Sequence, residues 1–106
     1  MARPRKVKIF NHVYKVKAAK AYAVHAADAW GWLDTERFEI YIKPGCPKSM
    51  HREVLLHEVI HAINNAVQVE DTKNQDESIA SRLTAGLLTV FIDNPKLTRW
   101  LLKSIL

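Results

Sequence analysis

The chain has 106 residues, 48% hydrophobic and 25% charged, which suits one globular domain with a modest core and excludes two. Its single cysteine, Cys46, excludes an intramolecular disulfide framework, and no CxxC pair or Cys/His cluster suggests a structural zinc knuckle, so a reducing, cytoplasmic setting is expected. The basic start "MARPRKVKIF" is followed by no apolar run long enough for a signal peptide, and no stretch reaches bilayer length, so neither secretion nor membrane insertion is expected.

The net charge of +5 is concentrated at one end. Arg3, Arg5, Lys6, Lys8, Lys15, Lys17 and Lys20 all precede the first acidic residue, Asp28. Such an end suits nucleic acid or an acidic protein. No recognised nucleic-acid motif accompanies it, so the favoured expectation is a disordered basic leader over residues 1–6 followed by a solvated strand face.

The first half reads as strands. "VKIFNHVYKVK" places β-branched and aromatic residues around Asn11-His12, as in a hairpin or one bulged strand. The alanine-rich residues 18–29 are compatible with helix or loop. "WGWL" and "FEIYI" flank Asp34, Thr35, Glu36 and Arg37 as a second hairpin, with Phe38, Ile40 and Ile42 alternating against Glu39 and Tyr41. "KPGCPKS" breaks regular structure, and Ser49 is placed to cap the next helix. That helix is expected from about Met50 to Ala66, with apolar residues on a broad surface. After the polar loop "EDTKNQ", a second helix is expected from about Asp76 to Ile92, and Pro95 opens a short terminal helix through "KLTRWLL".

Within the first helix lies "LLHEVIHAI", which sets His57, Glu58 and His61 among branched aliphatics. Burying such groups costs free energy unless something satisfies them, and a metal ion would satisfy all three. Residues four apart on a helix are about 40° apart in rotation and about 6 Å in height, so His57 and His61 can bind one zinc together. Glu58 is turned by about 100° from His57, which suits a base acting on a metal-held water better than a ligand. Chance places an HExxH in a chain of this composition on the order of one time in a hundred. A catalytic zinc takes three protein ligands, so a third is needed. Glu77, at the first turn of the second helix, is favoured because it shares a flank with the small residues Ala80, Ser81 and Thr84, which would allow close helix approach. Asp76 is the main substitute, with Asp71 and His51 behind it. Trp30, Trp32 and Trp100 are expected in the core or on the rim of a groove. Tyr22, His25, Tyr41 and Arg82 are candidate oxyanion stabilisers, and Cys46 is expected to be a bystander.

These motifs, the strand "FEIYI" leading to "HREVLLHEVIHAI", the acidic opening of "ESIASRLTAGLL", and "IDNPKL", resemble small zincin-like metallopeptidases of phages and prophages, related to the ImmA/IrrE-type metallo-endopeptidases. The resemblance implies that His57, His61 and Glu77 are metal ligands and that Glu58 is the catalytic glutamate. It further implies location in the cytoplasm of a bacterial host.

The expected architecture is α+β, a minimal zincin-like domain. A small, mostly antiparallel sheet from the N-terminal half packs on the HExxH helix, followed by a second long helix and a short C-terminal one. The expected activity is zinc-dependent hydrolysis of a peptide or protein substrate held extended along an edge strand, "FEIYI" or a neighbour. The alternative is a catalytically silent, zinc-stabilised accessory protein that binds protein or nucleic acid.

Overall fold

A computed structural model describes residues 2–18, 30–67 and 75–103, with the backbone alone over 75–78. The fold is α+β, a four-stranded, mostly antiparallel sheet with three helices. Strands β1 (Lys6–Ile9) and β2 (His12–Ala18) form the first hairpin, with Ile9 opposite His12 across the two-residue turn Phe10-Asn11. Phe10 adopts φ 56°, a left-handed conformation that costs a side-chain-bearing residue about 1–2 kcal/mol and that packing must offset. The second hairpin joins β3 (Gly31–Asp34) to β4 (Glu39–Ile42). Its loop is held by Asp34, whose Oδ1 accepts from the backbone N–H groups of Glu36 and Arg37 at 3.0 Å each.

The strand order β1-β2-β4-β3 contains one parallel pairing, β2 with β4. The chain places β3 at the far edge, and the hairpin returns β4 into the middle. "FEIYI" is therefore interior, and the edge strand is its neighbour Gly31–Asp34, which corrects the first-named of the two edge candidates. The alternation in β4 holds for Ile40 and Ile42, which face the core at 0% and 1% exposure. Tyr41, on the opposite face, is also covered, because Trp32 stacks on it at 5.4 Å between ring centroids.

The expected disordered leader begins to order earlier than residue 7. Lys6 opens β1, and the Arg5 carbonyl accepts from the N–H of Val16 at 2.9 Å. Cross-strand pairing to an already required β2 is enough to recruit these residues.

After the Pro-Gly break, where Gly45 sits at φ 93°, a short 3-10 turn (Lys48–Met50) precedes helix α1 (His51–Ala66). Ser49 lies inside that turn and does not cap α1; the residue at the cap is Met50, whose side chain makes no capping bond. The turn is closed instead by the Met50 N–H donating to the Pro47 carbonyl at 2.9 Å. Helix α2 (Gln75–Asp93) and helix α3 (Pro95–Leu102) agree with the expected bounds within a residue or two.

Val7, Ile9, Tyr14, Val16, Ile40 and Ile42 from the sheet meet Leu55, Val59, Ala62 and Ile63 of α1, with Val90, Leu97 and Trp100 closing the core. Each fully buried aliphatic side chain contributes about 1.5–3 kcal/mol. Asn94 ties α2 to the sheet. Its Oδ1 accepts from the Lys8 N–H at 2.8 Å, and its Nδ2 donates to the carbonyls of Lys8 at 2.7 Å and Val90 at 2.8 Å. One residue thus occupies part of the β1 edge that would otherwise offer itself to another strand.

Among the described residues no helix is long and apolar enough to cross a membrane. Residues 19–29 and 68–74 lie outside the description. With them go the undecided alanine-rich segment, most of the polar loop, Tyr22, His25 and Asp71.

Candidate metal centre

Helix α1 runs beneath the edge strand with its buried stripe toward the sheet. The stripe leaves His57 and His61 on the exposed side and Glu58 on the buried one. The two histidine Nε2 atoms lie 3.0 Å apart. Two imidazole nitrogens on a tetrahedral zinc, each bonded at about 2.05 Å, would stand roughly 3.3 Å apart. The observed pair needs a shift of only a few tenths of an ångström to share one ion. Without an ion, one ring donates its N–H to the other, which keeps the pair together.

Glu58 is 6% exposed, and burial pushes its carboxyl above the ordinary value of 4.5, with the neighbouring His57 and His61 pulling the other way. A carboxylate held this way retains a proton more readily than a solvated one, as a base that must accept and later release a proton requires.

Gly31 of β3 lies over this carboxylate. A methyl group placed on it would stand 2.6 Å from Val54 Cγ1 and 3.1 Å from Glu58 Oε2, so only glycine allows strand and helix this close. Nothing in the local sequence marks Gly31, since its neighbours on α1 are more than twenty positions away.

A cleft of about 680 Å³ opens above these residues, with β3 along one side and His57, Glu58 and His61 in its wall. Trp30, Trp32, Glu53 and Asn65 also line it. Lys43 N–H donates to the Trp30 carbonyl at 2.7 Å, and in an antiparallel ladder this pairing alternates. Trp32 and Asp34 therefore turn their backbone groups toward β4, while Gly31 and Leu33 turn theirs outward on the free edge.

The other candidates distribute as follows. Trp30 and Trp32 line the cleft, whereas Trp100 is core, with the Arg52 guanidinium 5.4 Å from its ring. His51 Nε2 bonds the Cys46 carbonyl at 2.9 Å and serves the bend before α1. Cys46 is buried, its thiol donates weakly to the Pro47 carbonyl at 3.6 Å, and burial raises its pKa. Tyr41 donates to Glu39 Oε2 at 2.8 Å on the sheet face away from α1. Arg82 donates to the Val67 carbonyl at 2.7 Å, and neither Tyr41 nor Arg82 lines the cleft.

The small-residue flank of α2 behaves differently from expectation. Ala80, Ser81 and Thr84 are exposed, and the close approach to α1 is made by Gly86, where an added methyl would stand 2.5 Å from Ile63 Cγ2. Asp76 and Glu77 fall in the first turn of α2, and their side chains lie outside the description. Among the described residues no group of three or more His, Cys, Asp or Glu could hold a metal ion.

Comparison with known proteins gives no match. No family model matches the chain, and neither do curated proteins or solved structures.

Proposed function

We propose that the chain is a zinc-dependent peptidase in which His57, His61 and Glu77 hold the ion and Glu58 is the catalytic base, as in the zincin-like family its sequence resembles. The observation that carries this reading is the pairing of two exposed Nε2 atoms 3.0 Å apart with a buried carboxylate on the next residue, all opening onto one cleft. Packing alone does not account for Glu58, since a solvated position would be cheaper. When bound, zinc would supply Lewis acidity and lower the pKa of a coordinated water toward about 7. Glu58 would accept a proton from water and return it to the leaving amine. The outward N–H and C=O groups of Gly31 and Leu33 would hold a peptide in extended form by adding it to the sheet edge. Trp30 and Trp32 would contribute apolar surface to side chains of that peptide.

A second reading, a zinc-stabilised module that hydrolyses nothing, is favoured by one observation: of the oxyanion candidates among the described residues, neither Tyr41 nor Arg82 lines the cleft.

The two readings separate in one experiment. Zinc-loaded wild type and Glu58→Gln are compared on a quenched-fluorescent peptide library. The peptidase reading expects cleavage by the wild type and a loss of at least about a hundredfold in the variant at equal zinc content. Zinc-loaded wild type that cleaves nothing would favour the silent module, and cleavage retained in Glu58→Gln would remove the assigned base.

A further inference from the structure

Several cations outside the cleft gather around the N-terminal segment. Residues 2–6 run between two concave surfaces, one of about 590 Å³ against α3 and one of about 470 Å³ against the start of α1. Arg3, Arg5, Lys6, Lys96 and Arg99 line the first; Arg3 and Arg5 continue into the second, where Lys48 and Arg52 join them. Three segments far apart in sequence thus converge on one basic end. No acidic side chain among the described residues lines either surface. The two salt bridges among the described residues use Lys17 and Arg37, so none of these cations is neutralised by one. Gathering like charges this way costs self-repulsion, and a polyanion would offset it.

The lining also discriminates among polyanions. Membrane-surface and protein-docking patches commonly combine charge with apolar or aromatic anchors, and none of the large exposed apolar side chains among the described residues, including Leu88 and Ile92 on α2 and Leu102 on α3, lines either surface. Single-strand binding uses exposed aromatic rings on which bases stack. Of the two rings here, Trp100 is 6% exposed and covered by Arg52, and His51 is partly buried and tied to the Cys46 carbonyl. What remains is a cationic surface suited to a rigid, regularly charged backbone.

We propose that the basic end formed by Arg3, Arg5, Lys6, Lys48, Lys96 and Arg99 binds duplex DNA through its phosphodiester backbone. This is independent of the hydrolytic reading, because none of these residues lines the metal cleft. Contact with about four phosphates gives a slope of log K against log salt near −3.6, or roughly a hundredfold weakening between about 50 and 200 mM salt.

The test is fluorescence anisotropy of the full chain with a short labelled DNA duplex across that salt range. Lys96→Gln/Arg99→Gln removes two exposed cations without touching the core, and should weaken binding about tenfold or more and reduce the slope by roughly two. Lys17→Gln/Arg37→Gln removes the same charge away from the basic end and should bind as wild type. The charge-conserving Lys96→Arg/Arg99→Lys should also bind, and melting curves confirm that each variant is folded. Absence of duplex binding at low salt would overturn the proposal, as would equal loss in the two glutamine double variants. Tighter binding of the single strand, of vesicles containing anionic lipid, or of polyglutamate than of the duplex would overturn the assignment to duplex DNA.

Discussion

Replacing Gly31 by alanine probes the contact that brings the edge strand to α1 beside Glu58. The added carbon would lie 2.6 Å from Val54 Cγ1, about 1 Å inside ordinary carbon–carbon contact. Val54 is a stiff β-branched residue at 9% exposure on α1, and the Gly31 backbone belongs to a strand paired with β4, so neither side yields freely. Overpacking of this kind costs about 1–3 kcal/mol, and the lower chain entropy of alanine returns about 0.5–1 kcal/mol. The expected net loss is about 1–2 kcal/mol, a fall in Tm of about 5–15 °C for a domain of this size. The same carbon would lie 3.1 Å from Glu58 Oε2, so the strand can move away only by altering the space around the carboxylate. Urea unfolding gives the stability, and hydrolysis per zinc-loaded folded molecule gives the effect on the site. Gly86→Ala is the comparison, because its clash is with Ile63, away from the cleft, and alanine adds about 1 kcal/mol of helix propensity. It should cost stability by a similar amount but leave hydrolysis per folded molecule intact, whereas Gly31→Ala should reduce both. A Gly31→Ala protein as stable and as active as wild type would refute the close approach of β3 to α1.

In chelator-treated, metal-free protein the raised pKa of Glu58 means that the folded state keeps a proton the unfolded state has released. This contribution is present below the ordinary carboxylate value and is lost as pH rises through the folded value, so the Tm of Glu58→Gln should gain on wild type from pH 4 upward to a plateau, as thermal melts across that range would show. Asn94→Ala removes the bonds to Lys8 and Val90 and should cost about 1–3 kcal/mol, with faster hydrogen exchange at the Lys8 amide while the β2–β4 amides hold their protection. Elemental analysis of His57→Ala should find no zinc, and Glu77→Ala should bind it much more weakly than Asp76→Ala; the reverse order would move the third ligand to Asp76.

Local pattern made the helices, the second hairpin and the His57-Glu58-His61 constellation legible, because each is written within a few turns or strand residues, whereas for residues 7–17 it left a hairpin and one bulged strand equally open and the pairing of Val7 with Tyr14 decides for the hairpin. Sheet order was not, since the pairing of β2 with β4 joins Lys15 to Glu39 across a segment that carries no pattern of its own. That hidden pairing is why Gly31–Asp34, not "FEIYI", borders the cleft. Gly31 and Gly86 gain their meaning from Val54 and Ile63 on a distant helix. Ser49 had the right chemistry for a cap but was absorbed into the 3-10 turn that Pro47 begins. The basic end was half legible: the cluster near the N-terminus was evident, but its convergence with Lys48, Lys96 and Arg99 requires the folded chain.

The central claim is that His57 and His61 share one zinc with a carboxylate from α2. X-ray absorption at the zinc edge, on protein loaded with one equivalent, tests it most directly. The expected result is two imidazole nitrogens at about 2.0–2.1 Å and carboxylate or water oxygens at about 2.0–2.2 Å around the zinc, with the imidazole signal lost in His57→Ala/His61→Ala. A zinc-binding wild type whose shell contains sulfur at about 2.3 Å, or whose imidazole signal survives in the double variant, would contradict it.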